Sequence, residues 1–283
     1  MAKGNLLLGT AGNSVGDVVM YRREGAQVSR VRVRKIKNPK TDAQSLQRAA
    51  FSPVAKFYSP LAVVLERSFE GLSKMKSYNK FLKTNIDLAR ANGWLLPKGT
   101  GFFPLPYQVS KGTLPVVKCS HDGVNISLNF DNILASEAPT TLGALSQLFV
   151  NAGYQNGDIV TVILIAGGSN IATANYVPYS MQFEIDTTST VSIATGLDGV
   201  DFTEEDGHLQ AGLKIGNVVA GACIVARFEN DKWRRSTEVL AVAESITTAI
   251  AAADYKAAAI ASYGMNAGDP NPLVYLDGDT LEG

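Results

Sequence analysis

The sequence predicts an α+β protein: an N-terminal β-hairpin with a helical hairpin, then a mainly β unit, a sandwich or partial barrel, with a C-terminal helix. Three observations predict it. The hydrophobic period changes from two to about 3.6 residues at Thr41. Beyond Pro106 short apolar runs alternate with turn signals. Finally, the alanine-rich stretch from Ser245 to Tyr263 places Ile246, Ile250, Ala253, Ala257 and Ile260 on one helical face before Gly264.

In chain order, Gly9, Gly12 and Asn13 mark a loop, after which Val15 to Arg22 and Gln27 to Ile36 read as strands joined at Arg23-Glu24-Gly25-Ala26. Alternation in the second strand sets Arg30, Arg32 and Arg34 on one face and Val31 and Val33 on the other. With Lys35, Lys37 and Lys40 they form a basic surface for an acidic partner or for phosphates; the alternative is a solvated strand face. A turn at Asn38-Pro39 leads to a helix capped by Thr41 or Asp42. Leu46, Ala50, Val54, Phe57, Leu61 and Val64 form its buried stripe, and Pro53 and Pro60, each after a serine, are expected to break it.

A second helix, Met75 to Asn92, turns Tyr78, Leu82, Ile86 and Ala89 inward and Lys76, Lys80, Lys83 and Arg90 outward, and ends at Gly93. Trp94 to Pro106 holds three prolines and two glycines and reads as an ordered linker. The expected division is therefore a basic hairpin-plus-helices unit over 1–95, a Pro/aromatic linker over 96–106 and an acidic mainly β unit over 107–283. Strand candidates in the last unit are Gln108 to Ser110, Pro115 to Lys118, Asn125 to Phe130, Ile159 to Ala166, Ser180 to Ile185, Thr190 to Ala194, Leu209 to Ile215, Val218 to Phe228 and Lys232 to Ala243. Thr141 to Ala152, before Gly153, reads as a helix between strands, and turns are expected at Asp206-Gly207 and Glu229-Asn230-Asp231.

Charge divides the chain. Residues 1–100 carry 18 Lys/Arg against 6 Asp/Glu, a net of +12, and residues 101–283 carry 8 against 20, a net of −12. Such asymmetry suggests that the two parts meet different environments, with the basic part facing nucleic acid or an acidic protein; the other reading is that opposite halves attract each other or a neighbouring copy. No apolar run reaches the roughly 20 residues of a membrane span, and the N-terminus lacks a secretory signal pattern, so no membrane partner and no secretion are expected.

Chemistry-bearing motifs are sparse. Cys119 and Cys223 stand 104 positions apart and read as buried thiols, and His121 and His208 are the only histidines. Gly167-Gly168-Ser169 is not followed by the lysine of a phosphate loop, and Glu204-Glu205-Asp206 lacks the spacing of a calcium loop and reads as a solvated acidic turn. No enzymatic activity, cofactor or metal is expected from these residues.

The run Asn38-Pro39-Lys40-Thr41-x-x-Gln44-x-x-Gln47-Arg48-x-x-Phe51, preceded by Gly12-x-x-x-Gly16-Asp17-Val18-Val19 and a basic strand, resembles an uncharacterised family of Bacteroidetes genomes and of the phages that infect those bacteria. The chain looks like a virion structural protein of a crAss-like tailed phage. The resemblance covers about the first 95 residues, with a weaker match at Ile260 to Gly264. It implies a non-enzymatic, multi-copy component of the particle, made in the host cytoplasm and placed in the tail or neck as a ring or adaptor protein. Its partners would be copies of itself, the portal and neighbouring ring or tail proteins, and packaged DNA. A capsid decoration is the alternative within that class. An architectural nucleic-acid-binding protein is the alternative outside it, since the basic arm and Asn-Pro turn loosely resemble the histone-like HU and IHF proteins.

Overall fold

The computed structural model describes residues 13–15, 18–23, 26–32, 42–66, 68–92, 102–121, 127–167, 176–197, 199–214 and 216–252. The chain divides into two units, Met1–Thr41 and Asp42–Gly283.

The first unit is an antiparallel ribbon of β1 (Asn13–Val15), β2 (Val18–Arg23) and β3 (Ala26–Val31), in that order. Val15 pairs with Val18 and Arg23 with Ala26, so each connection is two residues long. The expected hairpin at Arg23–Ala26 is present, with a third strand where a loop was expected. Val15, expected at the start of a strand running to Arg22, belongs instead to β1 and pairs with Val18. The described strand ends at Val31, and Arg34, Lys35, Lys37 and Lys40 lie outside the described residues.

The second unit begins with α1 (Asp42–Tyr58), α2 (Ala62–Leu65) and α3 (Lys74–Asn92). Ala50, Val54, Phe57, Leu61 and Leu65 form the buried stripe, close to the expected one. The helix runs through Pro53 and breaks only around Pro60. Proline costs the helix a hydrogen bond at either position, but the buried Pro53 is held by its packed surroundings. On α3 the buried face centres on Ser77, Phe81, Asn85 and Ala89, rotated from the expected one; Tyr78 and Ile86 lie at its border.

The strands follow as β4 (Gln108–Ser110), β5 (Cys119–Ser120), β6 (Ser127–Leu134), β7 (Ile159–Ala166), β8 (Val177–Glu184), β9 (Val200–Glu205), β10 (His208–Leu213), β11 (Val218–Glu229), β12 (Lys232–Arg235), β13 (Glu238–Val239) and β14 (Ala241–Val242). Three helices are set among and after them: α4 (Leu142–Asn151), α5 (Ile193–Gly196) and α6 (Glu244–Ala251). One sheet has the order β5-β6-β10-β9. A second has the order β12-β11-β7-β8, with β14 also on β11, and β13 pairs with β4. All these pairings are antiparallel and the sheets are open.

Two cores make this unit three layers deep. Between the sheets lie Leu128, Phe130, Leu209, Phe202, Val162 and Val225, and Phe149 of α4 packs into the same core against Phe130 and Phe183. The opposite face of the second sheet, through Ile163, Ile165, Ala222 and Ile224, packs against Val54, Phe57 and Phe81 of the helices. Strand β11 is therefore buried on both sides. At Gly221 an added Cβ would stand 2.8 Å from Leu128 Cδ2 and 2.9 Å from the Ile163 carbonyl oxygen, so glycine lets the sheets close.

The helices thus share a core with the strands, which differs from the expected division after residue 95. Phe102, Phe103, Leu105 and Tyr107, expected in a linker, are buried in the helix–sheet core, and Phe57 meets the Tyr107 ring at 4.9 Å. Apolar burial outweighs the break that the prolines impose. The structure differs from the strand candidates in three other places. Strand β9 lies where only a turn was expected, Thr190 to Ala194 enters α5, and Lys232 to Ala243 splits into β12, β13 and β14. The alanine-rich helix is described to Ala251, and its remainder lies outside the described residues.

Candidate interaction surfaces

In the ribbon, none of the side chains described is buried. Arg30 and Arg32 are exposed on the face that alternation assigns them, with the Arg30 guanidinium 5.8 Å from the Tyr21 ring centroid. Neither has an acidic partner among the described residues. Val31, on the other face, is 74% exposed, and Val18 opposite it is also exposed. The two faces therefore offer arginine and aliphatic surface, which an isolated ribbon does not otherwise stabilise.

On the second unit, α3 turns Lys76, Lys80 and Lys83 to solvent as expected, without anionic partners among the described residues, while Arg90 donates to Asp87 at 3.0 Å. Strand β8 is an edge strand whose Val177, Tyr179, Ser180, Gln182 and Glu184 are exposed. Beside its C-terminal half runs an open groove of about 480 Å³, walled by Leu142, Phe183 and Leu197 with Glu184 and Asp186 at its margin. The hydroxyl and backbone N–H of Thr188 hold the Asp186 carboxyl below its usual range. The sequence reading began this strand at Ser180; Pro178 inside the run is the signal that marks it as an edge.

A buried polar network centres on Glu238. Glu238 of β13 is buried. One carboxylate oxygen accepts the Val117 N–H at 2.9 Å, and its own N–H donates to Ser110 Oγ at 3.1 Å. Ser110 in turn donates to the Ser236 carbonyl at 2.8 Å, and Ser236 Oγ accepts the Val225 N–H at 3.0 Å. Burial pushes the Glu238 carboxyl up to about 8, against the opposing hydrogen bonds of Val117 and Ser236. Cys119 and Cys223, far apart in sequence, meet near this network, where the Cys119 thiol bonds the Cys223 backbone and burial pushes both thiols well above their usual range. This neutral carboxyl joins the segments around Val117, Ser110 and Ser236, and both thiols stay protonated at neutral pH.

His121 Nε2 lies 2.8 Å from the Val218 carbonyl oxygen. The expected acidic turn is half strand. Glu204 and Glu205 end β9, where Glu204 accepts the Gly207 N–H at 2.9 Å and Glu205 accepts Gln210 Nε2 at 2.7 Å. Among the described residues no group of three His, Cys, Asp or Glu side chains is placed to hold a metal ion. No helix among them is long and apolar enough to cross a membrane.

A family model described as a family of unknown function (DUF6266) matches residues 9–94, the stretch that holds the ribbon, the Asn38-Pro39 motif and the three N-terminal helices. No curated protein and no solved structure matches the chain.

Proposed function

We propose that the chain is a non-enzymatic structural component of a tailed bacteriophage virion, a ring or adaptor protein of the portal–tail region that works in many copies. The observation that carries this reading is the ribbon: three strands with exposed Arg30, Arg32 and Val31 and no buried side chain among those described. Such an element is stabilised by docking on another molecule. The N-terminal resemblance supplies the phage setting, and the split of +12 and −12 between residues 1–100 and 101–283 favours head-to-tail contacts between copies. The test is to purify particles, identify this chain by mass spectrometry and trace it by cryo-electron microscopy. Multiple copies in a ring at the neck are expected, and absence from purified particles would overturn the reading.

A second reading rests on Lys76, Lys80 and Lys83, which form an exposed stripe along α3 suited to a phosphate backbone. An architectural DNA-binding protein would bind free duplex with an affinity that falls steeply with salt, and Lys76→Glu/Lys80→Glu/Lys83→Glu would flatten that slope. A ring protein binds free duplex weakly at every salt concentration.

A further inference from the structure

We propose that the free edge of β8 accepts the edge strand β3 of a second copy of this chain, added in parallel so that Arg32 of one copy lies beside Glu184 of the next; this rests on the multi-copy reading above.

The backbone of β8 shows which groups are available. Ile185, just past its end, donates its N–H to the Asp158 carbonyl at 2.8 Å and accepts the Gly157 N–H at 2.9 Å. Odd-numbered residues of β8 therefore bond towards β7 and even-numbered ones point away from the sheet. Pro178, which has no N–H, falls on the outward set, where a proline costs the ladder nothing. Ser180, Gln182 and Glu184 follow on the same side. They are exposed, and their backbone groups have no partner among the described residues. In the ribbon, the two-residue connection makes Arg23 and Ala26 a hydrogen-bonded pair, so Val28 and Arg30 also bond to β2. Ser29 and Val31 then point outward from an exposed edge.

These two parities set a register. In a parallel pair, a residue whose N–H and C=O point across bonds to the two neighbours of the residue opposite. If Gln182 donates to the Ser29 carbonyl and accepts the Val31 N–H, Arg30 stands opposite Gln182 and Arg32 opposite Glu184, each pair on one face. On the other face Val31 falls beside Phe183, at the apolar wall of the groove of about 480 Å³, with Glu184 and Asp186 at its margin. Antiparallel addition over the same residues would carry the arginines towards Pro178, away from those carboxylates. Charge therefore selects the parallel arrangement, and backbone bonds together with Val31 supply the affinity. The contact is heterologous. A copy that gives its β3 keeps its own β8 open for the next, which builds a closed ring or an open chain.

The test uses the full-length chain, with self-association followed by light scattering over a concentration series. Arg32→Glu and Glu184→Arg each place like charges together and are expected to weaken association at least about tenfold, and the double variant Arg32→Glu/Glu184→Arg to restore it. Because these residues are exposed, circular dichroism should stay unchanged. Separately purified Arg30→Cys and Gln182→Cys proteins, mixed under mild oxidation, should form a disulfide-linked heterodimer, since opposite residues of paired strands lie within disulfide range. A monomeric wild type, unaffected single variants, or no rescue by the double variant would overturn the proposal. So would a Glu184→Arg protein that is lost from particles yet still self-associates, which would give the β8 edge to another virion protein. Presence in particles tests the proposed function separately.

Discussion

The side chain of Asn85 on α3 pairs with the backbone of Gln108 as a neighbouring strand would: its Nδ2 donates to the Gln108 carbonyl at 3.0 Å and its Oδ1 accepts the Gln108 N–H at 2.8 Å. The same Nδ2 also reaches the Phe81 carbonyl at 3.0 Å, so a buried amide fastens the helix to the start of β4.

Replacing that amide tests how the helices are held. Asn85→Leu should cost about 2–4 kcal/mol, because both polar groups of Gln108 lose their partner in the interior. A fall in denaturant midpoint is the readout. An exposed replacement on the same helix, Asn79→Leu, should leave the midpoint within about 0.5 kcal/mol of wild type.

Glu238 makes stability depend on pH. The unfolded carboxyl titrates near 4.3 and the folded one at about 8. Below the lower value both states are protonated. Between the two values the folded chain keeps a proton that the unfolded chain releases, so stability falls as pH rises through the window and levels off above it. Glu238→Gln keeps an oxygen for the Val117 N–H and removes the titration. It should match wild type near pH 4 and melt at higher temperature than wild type at pH 8 and above, whereas parallel melting curves across this range would place the pH dependence elsewhere.

Asp158 receives a fork from Arg227, with Nε and Nη2 each 2.7 Å from a carboxylate oxygen. The Asp158 side chain is 1% exposed, and one of its oxygens also accepts the Gln155 N–H at 2.9 Å. Arg227→Ala should therefore destabilise by about 3–5 kcal/mol by leaving a buried carboxylate unpaired. Arg227→Ala/Asp158→Asn should recover part of that loss, measured as a double-mutant cycle.

Two strand glycines should respond differently to one methyl group. Gly221→Ala drives a Cβ to within 2.8 Å of Leu128 Cδ2 and 2.9 Å of a carbonyl oxygen, and is expected to cost about 1–3 kcal/mol. At Gly212 the nearest atom, Ser127 Cβ, is 3.8 Å away, so Gly212→Ala should be neutral or slightly stabilising. Equal losses at both positions would mean that sheet closure does not depend on Gly221.

Local patterns in the sequence determine much of the fold. Ile159–Ala166 is a strand over the bounds its apolar run marks. Thr141 caps α4 by accepting the Ala144 N–H at 3.2 Å, and Gly153 follows the helix at φ +99°. The expected turns at Asp206-Gly207 and Asn230-Asp231 hold four residues of positive φ, conformations that these residue types favour locally. The placement of Arg30 and Arg32 on one face follows from strand alternation alone.

Other features were decided by what each segment meets in space. Ser77 and Asn85 are absent from the inward stripe that apolar spacing marks on α3, yet backbone groups of Phe69 and Gln108 bond them and that face lies inward. Phe102 to Tyr107 joined the core because Phe57 and Phe81 were there to cover them. The nearness of Cys119 to Cys223, the raised Glu238 and the edge position of β8 depend on strand order and register. A chain read residue by residue carries no term for those pairings, because the partners lie tens to more than a hundred positions apart.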